Sequence, residues 1–277
     1  MKIKSPLKDL TLVQIVRRFD TDDKARKHLE AMIWKDGIVC PHCQCKDQTK
    51  FWNIAANPAK KIRAGLRQCA DCKKQFTVTV GTIFEDSHIP LHKWLIAYYL
   101  ICSSKKGIAA LALQRFLEIG CYQTALFMAH RIRHALRDTS FAEKLDGTIE
   151  ADECFVPVGS QSESEGKCPT KHAMVFTMVQ RGGAARSKVM PTVNGANLKQ
   201  AIRDNVQVAS TVYTDGHTRY HGLEVPFTHK SVKHCAGEFK RIEGENVVTT
   251  NSVESYFSLL KRGVVGVFHH VRHAKLP

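Results

Sequence analysis

The stretch "GTIEADECFVPVG" at residues 147–159 decides how the C-terminal half of this chain is read. With a period of two, Asp152 shares one side with Glu150, Cys154 and Val156, while Glu153 shares the other with Ile149, Ala151 and Phe155. The run is an apolar strand with an acid in its middle. An unpaired buried carboxylate is costly, so Asp152 calls for a compensating partner, and a metal ion is one. Downstream, "KHAMVFTMVQRGG" and "ARSKVMPTV" are strand-like, "GANLKQAIRDNV" is helical, and "STVYTDGHTRY" is a strand ending at Asp215 and Gly216. This order predicts a mixed α/β sheet domain.

Asp215 alone reads as a turn or cap residue, although a strand end is also where a side chain can project from the sheet edge. The segment "TNSVESYFSLLKRG" (250–263) reads as a helix. Asn251, Glu254, Ser258 and Lys261 share an arc of about 80°. Val253, Tyr256, Phe257 and Leu260 form the core-facing stripe. A polar face on such a helix is explained by solvent alone, unless its acid joins the other two. Together, Asp152, Asp215 and Glu254 offer the hard oxygen donors that suit two Mg²⁺ ions, with Mn²⁺ able to substitute. Lys261, two turns beyond Glu254, then serves a phosphate as a point charge.

Upstream, "CPHC" (Cys40, Cys43) and "CADC" (Cys69, Cys72) are two Cys-x-x-Cys pairs with 25 residues between them. Two such knuckles close a tetrahedral thiolate site suited to one structural Zn²⁺. Buried free thiols and a redox pair are the rivals, and a redox motif lacks the neighbouring βαβ pattern it needs. "TKFWNI" and "GLRQC" read as ribbon strands between the knuckles. Cys45 breaks the paired spacing. Cys102, Cys121, Cys154, Cys168 and Cys235 stand alone and are expected as reduced core residues.

Residues 90–137 read as short helices punctuated by Gly107 and Gly120. The last helix carries His130, Arg131, Arg133, His134 and Arg137, a basic face suited to phosphates or base edges. Short helix, Gly-containing turn and basic helix resemble a helix-turn-helix, though a plain helical bundle makes the same pattern. Over all 277 residues, 41 Lys and Arg against 26 Asp and Glu give a formal charge of +15. That excess favours nucleic acid as partner over a merely basic solvated surface. The longest apolar run, "WLIAYYLIC" (94–102), is far short of the roughly 20 residues that span a membrane. The start, "MKIKSPLKDLTLVQIVRRFD", has no signal-peptide core, so a cytoplasmic, nucleoid-associated protein is expected.

These blocks, in this order, resemble the bacterial insertion-sequence transposases that join an N-terminal zinc ribbon to a ribonuclease-H-like DDE domain. "DGIVCPHC", "QCADCKKQFTVTVGTIFEDSHIPLHKWLIA", "SSKKGIAA" and "AHRIRHAL" are similar to that family's ribbon and helical segment. "IEADECFV", "VYTDGHTRY" and "NSVESYFSLLKRGVVGVFHHV" are similar to its three catalytic blocks. The resemblance implies that Asp152, Asp215 and Glu254 bind the catalytic metals, that Lys261 is the basic residue after the third acid, and that Asn251 is an accessory ligand. It implies hydrolysis of a phosphodiester at an element's end, attack of the freed 3′-OH on target DNA, and multimers acting on paired ends. Relatives continue past the "HHV" block with another helix, so a shortened C-terminus is expected. His269, His270 and His273 in "FHHVRH" read as a phosphate-facing or surface cluster rather than a second metal site.

The expected fold is α+β. It comprises a helical lead-in (1–35), a zinc ribbon (36–82), a helical, helix-turn-helix-like segment that contacts DNA through Arg131, Arg133 and Arg137 (88–138), and a ribonuclease-H-like domain (147–277). Lys261 and Arg262 extend the DNA contacts. The expected activity is that of a DNA transposase acting on double-stranded DNA as a homo-oligomer. Two other readings keep part of the pattern: a zinc-ribbon DNA-binding protein or decayed transposase without catalysis, and a general nuclease of the same fold.

Overall fold

The computed structural model describes residues 10–136, 143–159, 171–192, 194–244, 246–268 and 271–272. The chain divides into two compact units, Met1–Ser104 with Ile108–Arg137, and Lys105–Gly107 with Asp138–Pro277.

In the first unit, α1 (Leu12–Arg18) starts at a capping box between Thr11 and Gln14, and Thr21 caps α2 (Asp22–Ile33). A ribbon follows, with antiparallel strands β1 (Phe51–Asn53), β2 (Arg67–Cys69) and β3 (Gln75–Phe76). Helices α3 (Leu91–Ser103), α4 (Ala110–Phe116) and α5 (Tyr122–Ala135) complete the unit. The lead-in helices are not an appendage. Ile15, Phe19, Ala25 and Leu29 bury into the same core as Trp94, Ala97, Leu113, Met128 and Ile132.

In the second unit, β4 (Thr148–Gly159), β5 (Lys171–Gln180) and β6 (Ala185–Met190) form an antiparallel meander. After α6 (Gly195–Asn205), β7 (Thr211–Asp215) joins the other edge of β4 in parallel, and β8 (Thr228–Val232) extends the sheet beside β7. The order β6-β5-β4-β7-β8 is the mixed-sheet arrangement that the ribonuclease-H-like expectation calls for. A hairpin of β9 (Arg241–Glu243) and β10 (Asn246–Val248) precedes α7 (Asn251–Gly266), and β11 (Val271–Arg272) pairs in parallel with the far end of β4.

The period-two reading of β4 explains how the layers form. Ile149 and Ala151 pack with Leu198, Ala201 and Ile202 of α6 on one face of the sheet. On the other face, Cys154 and Val156 pack with Val253, Phe257 and Val264 of α7. Burying Val253 and Phe257 contributes about 1.5–3 kcal/mol each to docking α7, so the helix that carries Glu254 is pinned by its own apolar stripe.

Candidate active site and metal centre

The two knuckles meet as the cysteine spacing predicts. Cys40 and Cys72 place their sulfurs 3.7 Å apart, as do Cys43 and Cys69, and all four lie within 4.8 Å of one another. Four thiolates about 2.3 Å from one zinc ion have tetrahedral edges of about 3.8 Å, so this cluster could hold Zn²⁺. Both knuckles are built alike. Gln44 N–H donates to the Cys40 carbonyl and Lys73 N–H to the Cys69 carbonyl, and Gln44 and Lys73 both sit at positive φ, 60° and 58°. The Cys72 amide pulls the Cys69 thiol down to about 7. At Cys43 the Cys45 amide pulls the same way, but burial and the neighbouring sulfurs outweigh it and push the thiol up to about 12. A divalent cation removes that conflict by stabilising all four thiolates at once.

Of the lone cysteines, Cys154 is buried as expected. Cys102 and Cys121 are exposed instead, because the apolar faces of α3 and α5 turn other residues inward. Cys168 lies outside the described residues, as does the side chain of Cys235.

The second site lies on the α7 face of the sheet. The parallel ladder of β4 and β7 runs through Glu150↔Tyr213, and two residues further along each strand carry Asp152 and Asp215. Parallel strands in register present matching residues on the same side, so these two carboxylates are neighbours. Asp152, Glu254 and Lys261 line one cavity of ≈ 520 Å³, with Glu153, Cys154, Phe257 and Ser258. Burial pushes the Asp152 carboxyl up to about 7, and the charges of Glu153, Asp215 and Glu254 add to the shift against one favourable bond from the Glu153 amide. Asp152 thus sits desolvated among like charges, where a cation is the natural compensation.

Among the described residues, the four cysteines are the one group of His, Cys, Asp and Glu ligands that closes to within 4.8 Å. The acids are spread more widely. The set is all oxygen, as Mg²⁺ and Mn²⁺ prefer.

A pH dependence follows for the metal-free protein. The folded-state pKa of Asp152 lies above its ordinary value of 3.8, so between about pH 4 and 7 the folded chain binds the extra proton. Stability therefore falls as pH rises through that window. Asp152→Asn is expected to flatten the fall and to be more stable than wild type at pH 8, by on the order of 2 kcal/mol. Thermal unfolding at pH 5 and pH 8 in chelator-treated buffer checks this, with equal pH slopes for the two proteins as the contrary result.

The other candidates occupy varied places. Glu254 Oε1 accepts from Thr250 Oγ1 at 3.0 Å and lies 3.5 Å from His234 Nε2. Asn251 is exposed at the first position of α7, and its N–H donates to Thr249 Oγ1. Arg262 folds back on its own helix, donating to the Ser258 carbonyl and hydroxyl. On α5, Arg131 is exposed and donates to the Glu85 carbonyl at 2.9 Å. Arg133 is half-buried, donates to the Ile108 carbonyl at 3.1 Å, and is pulled down by burial. Arg137, His269, His270 and His273 lie outside the described residues.

Three side chains around the acids escaped the sequence reading. Glu153 is held by the Tyr220 hydroxyl and by Arg219. His234 stands beside Glu254 from a short irregular turn that carries no periodic signal. Glu150 is wholly buried and bonded to the start of α7. Its alternation with Asp152 was a usable hint of a shared face, but its partners are distant in sequence.

Comparison with known proteins finds matches for both parts of the chain. Residues 144–277 match the ISXO2-like transposase domain, and residues 20–75 match the transposase zinc-ribbon domain. A protein of Halobacterium salinarum (strain ATCC 700922 / JCM 11081 / NRC-1), described as an uncharacterized protein in transposable element ISH50, is 26% identical over 265 residues. That alignment covers 89% of this chain and 84% of the relative. With a zinc ribbon followed by a transposase domain, each on the elements that carry its residues, the chain belongs to the insertion-sequence transposases that join an N-terminal zinc ribbon to an ISXO2-like transposase domain.

Proposed function

We propose that this chain binds the ends of its own insertion sequence and catalyses divalent-metal-dependent hydrolysis of a phosphodiester there, followed by transfer of the freed 3′-OH to target DNA. The observation that supports this reading best is the placement of three carboxylates, from β4, β7 and α7, on one face of a mixed sheet, with Asp152 and Glu254 lining the same cavity and Asp215 in register beside Asp152. Asp152, Asp215 and Glu254 are the residues that hold the metals, and Mg²⁺ is the ion their oxygen donors fit. Bound there, two such ions supply the positive charge that stabilises the attacking and leaving oxygens of an in-line displacement. Lys261, on the same cavity, binds a phosphate next to the scissile one and orients the strand. Thr250 keeps the Glu254 carboxylate turned by a 3.0 Å hydrogen bond. The four-cysteine centre plays no part in the chemistry and holds the ribbon's knuckles together.

DNA contact is assigned to α5 and to the α7 face near Lys261 and Arg262, with the protein acting as a multimer on paired ends. The two α5 arginines are expected to separate. Arg131→Ala should lower affinity for DNA and reduce the slope of log affinity against log salt by about 1, as the loss of one phosphate contact does. Arg133→Ala, which removes a half-buried guanidinium where Arg131→Ala removes an exposed one, should lower thermal stability more than it changes that slope. Fluorescence anisotropy between 50 and 300 mM salt distinguishes these, and unchanged slopes for both remove α5 from the interface.

The function itself is tested by incubating the zinc-loaded protein with labelled DNA spanning the element's boundaries, in Mg²⁺ or in chelator. The expected product is a metal-dependent cut at the boundary with a free 3′-OH. Tight binding without any cut, at full zinc content, favours the non-catalytic DNA-binding reading instead.

A further inference from the structure

The start of α7 is capped from outside the helix. Its own N-cap residue, Thr250, has φ −110° and ψ 14° and makes no side-chain hydrogen bond to the helix amides. The amides such a cap serves, those of Ser252 and Val253, donate instead to Glu150 Oε2 at 2.6 and 3.3 Å. Ser252 Oγ donates to Glu150 Oε1 at 3.0 Å, and Arg181 Nε donates to the same oxygen at 2.7 Å. Glu150 reaches across 102 residues of sequence to do this, and its side chain is 0% exposed. Arg181 also donates to the carbonyls of Val247 (2.9 Å) and Thr249 (3.4 Å), and stacks 4.9 Å over the Tyr213 ring.

We propose that Glu150 and Arg181 are positioning residues that set Glu254 against Asp152. This rests on the metal-site reading given above. Glu150 and Asp152 stand two apart on the same face of β4, so the strand that carries the first acid also grips the helix that carries the third. Arg181 fixes the approach to that helix by holding the two carbonyls just before it. Because Glu150 serves the helix amides, the Thr250 hydroxyl is released to hold the Glu254 carboxylate and to meet His234 Nε2 at 3.0 Å. A buried ion pair is a weak source of stability compared with an apolar replacement of similar shape. A fully bonded one on the supporting shell of a site fixes geometry.

The test uses full-length, zinc-loaded protein with Mn²⁺ as the probe. Glu150→Gln, Arg181→Lys and Ser252→Ala are compared with wild type by Mn²⁺ titration followed by electron paramagnetic resonance. Amide exchange at Ser252 and Val253 and the thermal midpoint are measured in parallel. Glu150→Gln and Arg181→Lys are expected to raise the Mn²⁺ dissociation constant at least tenfold and to speed exchange at both amides at least tenfold. Ser252→Ala, which keeps both amide bonds, should change each by two- to fivefold. A merely structural role moves the thermal midpoint and leaves Mn²⁺ affinity, measured far below that midpoint, where it was. If Glu150→Gln does not fold, Arg181→Lys and Ser252→Ala decide by the same two readouts. Folded variants that bind Mn²⁺ and exchange like wild type overturn the joint alone, whereas a wild type that binds no Mn²⁺ overturns the metal-site reading itself.

Discussion

Asp152→Asn, Asp215→Asn and Glu254→Gln are each expected to lower metal-dependent DNA cleavage by about 10³-fold or more, while the variants still fold, hold zinc and bind DNA. A loss of that size is about 4 kcal/mol of transition-state stabilisation, a reasonable scale for removing one ligand charge from a metal-assisted displacement. The amide replacements are chosen because the local hydrogen bonds survive them. Asp152 accepts from the Glu153 amide, Asp215 from the His217 amide, and Glu254 from the Thr250 hydroxyl, and each bond can be kept by an amide oxygen. What disappears is negative charge, at Asp152 itself or at a neighbour whose charge adds to the burial that pushes Asp152 up. For Asp152→Asn, loss of activity with greater stability without metal is therefore the signature of this site. An Asp152→Asn protein that loses activity and stability together points to a structural acid.

Removal of zinc has the second largest expected effect. The ribbon has three short strands, and its buried cluster is little more than Cys40, Cys69 and Phe76, backed by Trp34, Ile38 and Phe51. So small a core does not offset the entropy of ordering the loops between the knuckles. Metal binding at such sites supplies on the order of 10 kcal/mol that is in effect folding energy. Chelation, or Cys40→Ser with Cys69→Ser, is expected to leave the ribbon amides exchanging within seconds. The core around Trp94, Met128 and Ile132 and the sheet around Ile149 and Phe176 should stay protected. Hydrogen exchange read by mass spectrometry reports each segment separately, and a ribbon that stays protected without zinc contradicts this view.

The features legible in the sequence were those written in local patterns. The cysteine pairs carry their own spacing. Alternation in β4 put Asp152 on the face that α7 covers, and the helical stripe of Val253 and Phe257 told which side of α7 is buried. Elements without such periodicity went unread. Strand β8, "THKSV", is a polar edge strand, and β9 and β10 carry exposed Ile242 and Val247, so neither shows the alternation of a half-buried strand. The support around the acids was hidden for a different reason. Glu150 meets Arg181 and Ser252, and Glu153 meets Tyr220, across separations that only the sheet topology brings together. Arg131 and Arg133 look equivalent in a helix two residues apart, and each donates to a backbone carbonyl, yet Arg131 is exposed and Arg133 half-buried.

The central claim is that Asp152, Asp215 and Glu254 form one divalent-metal site. Anomalous diffraction from crystals grown with Mn²⁺ tests it most directly, because the ion locates itself independently of any DNA substrate. The expected result is Mn²⁺ density between Asp152 and Asp215 and beside Glu254, lost in Asp152→Asn crystals grown the same way. Crystals at saturating Mn²⁺ with no density at these carboxylates contradict the account.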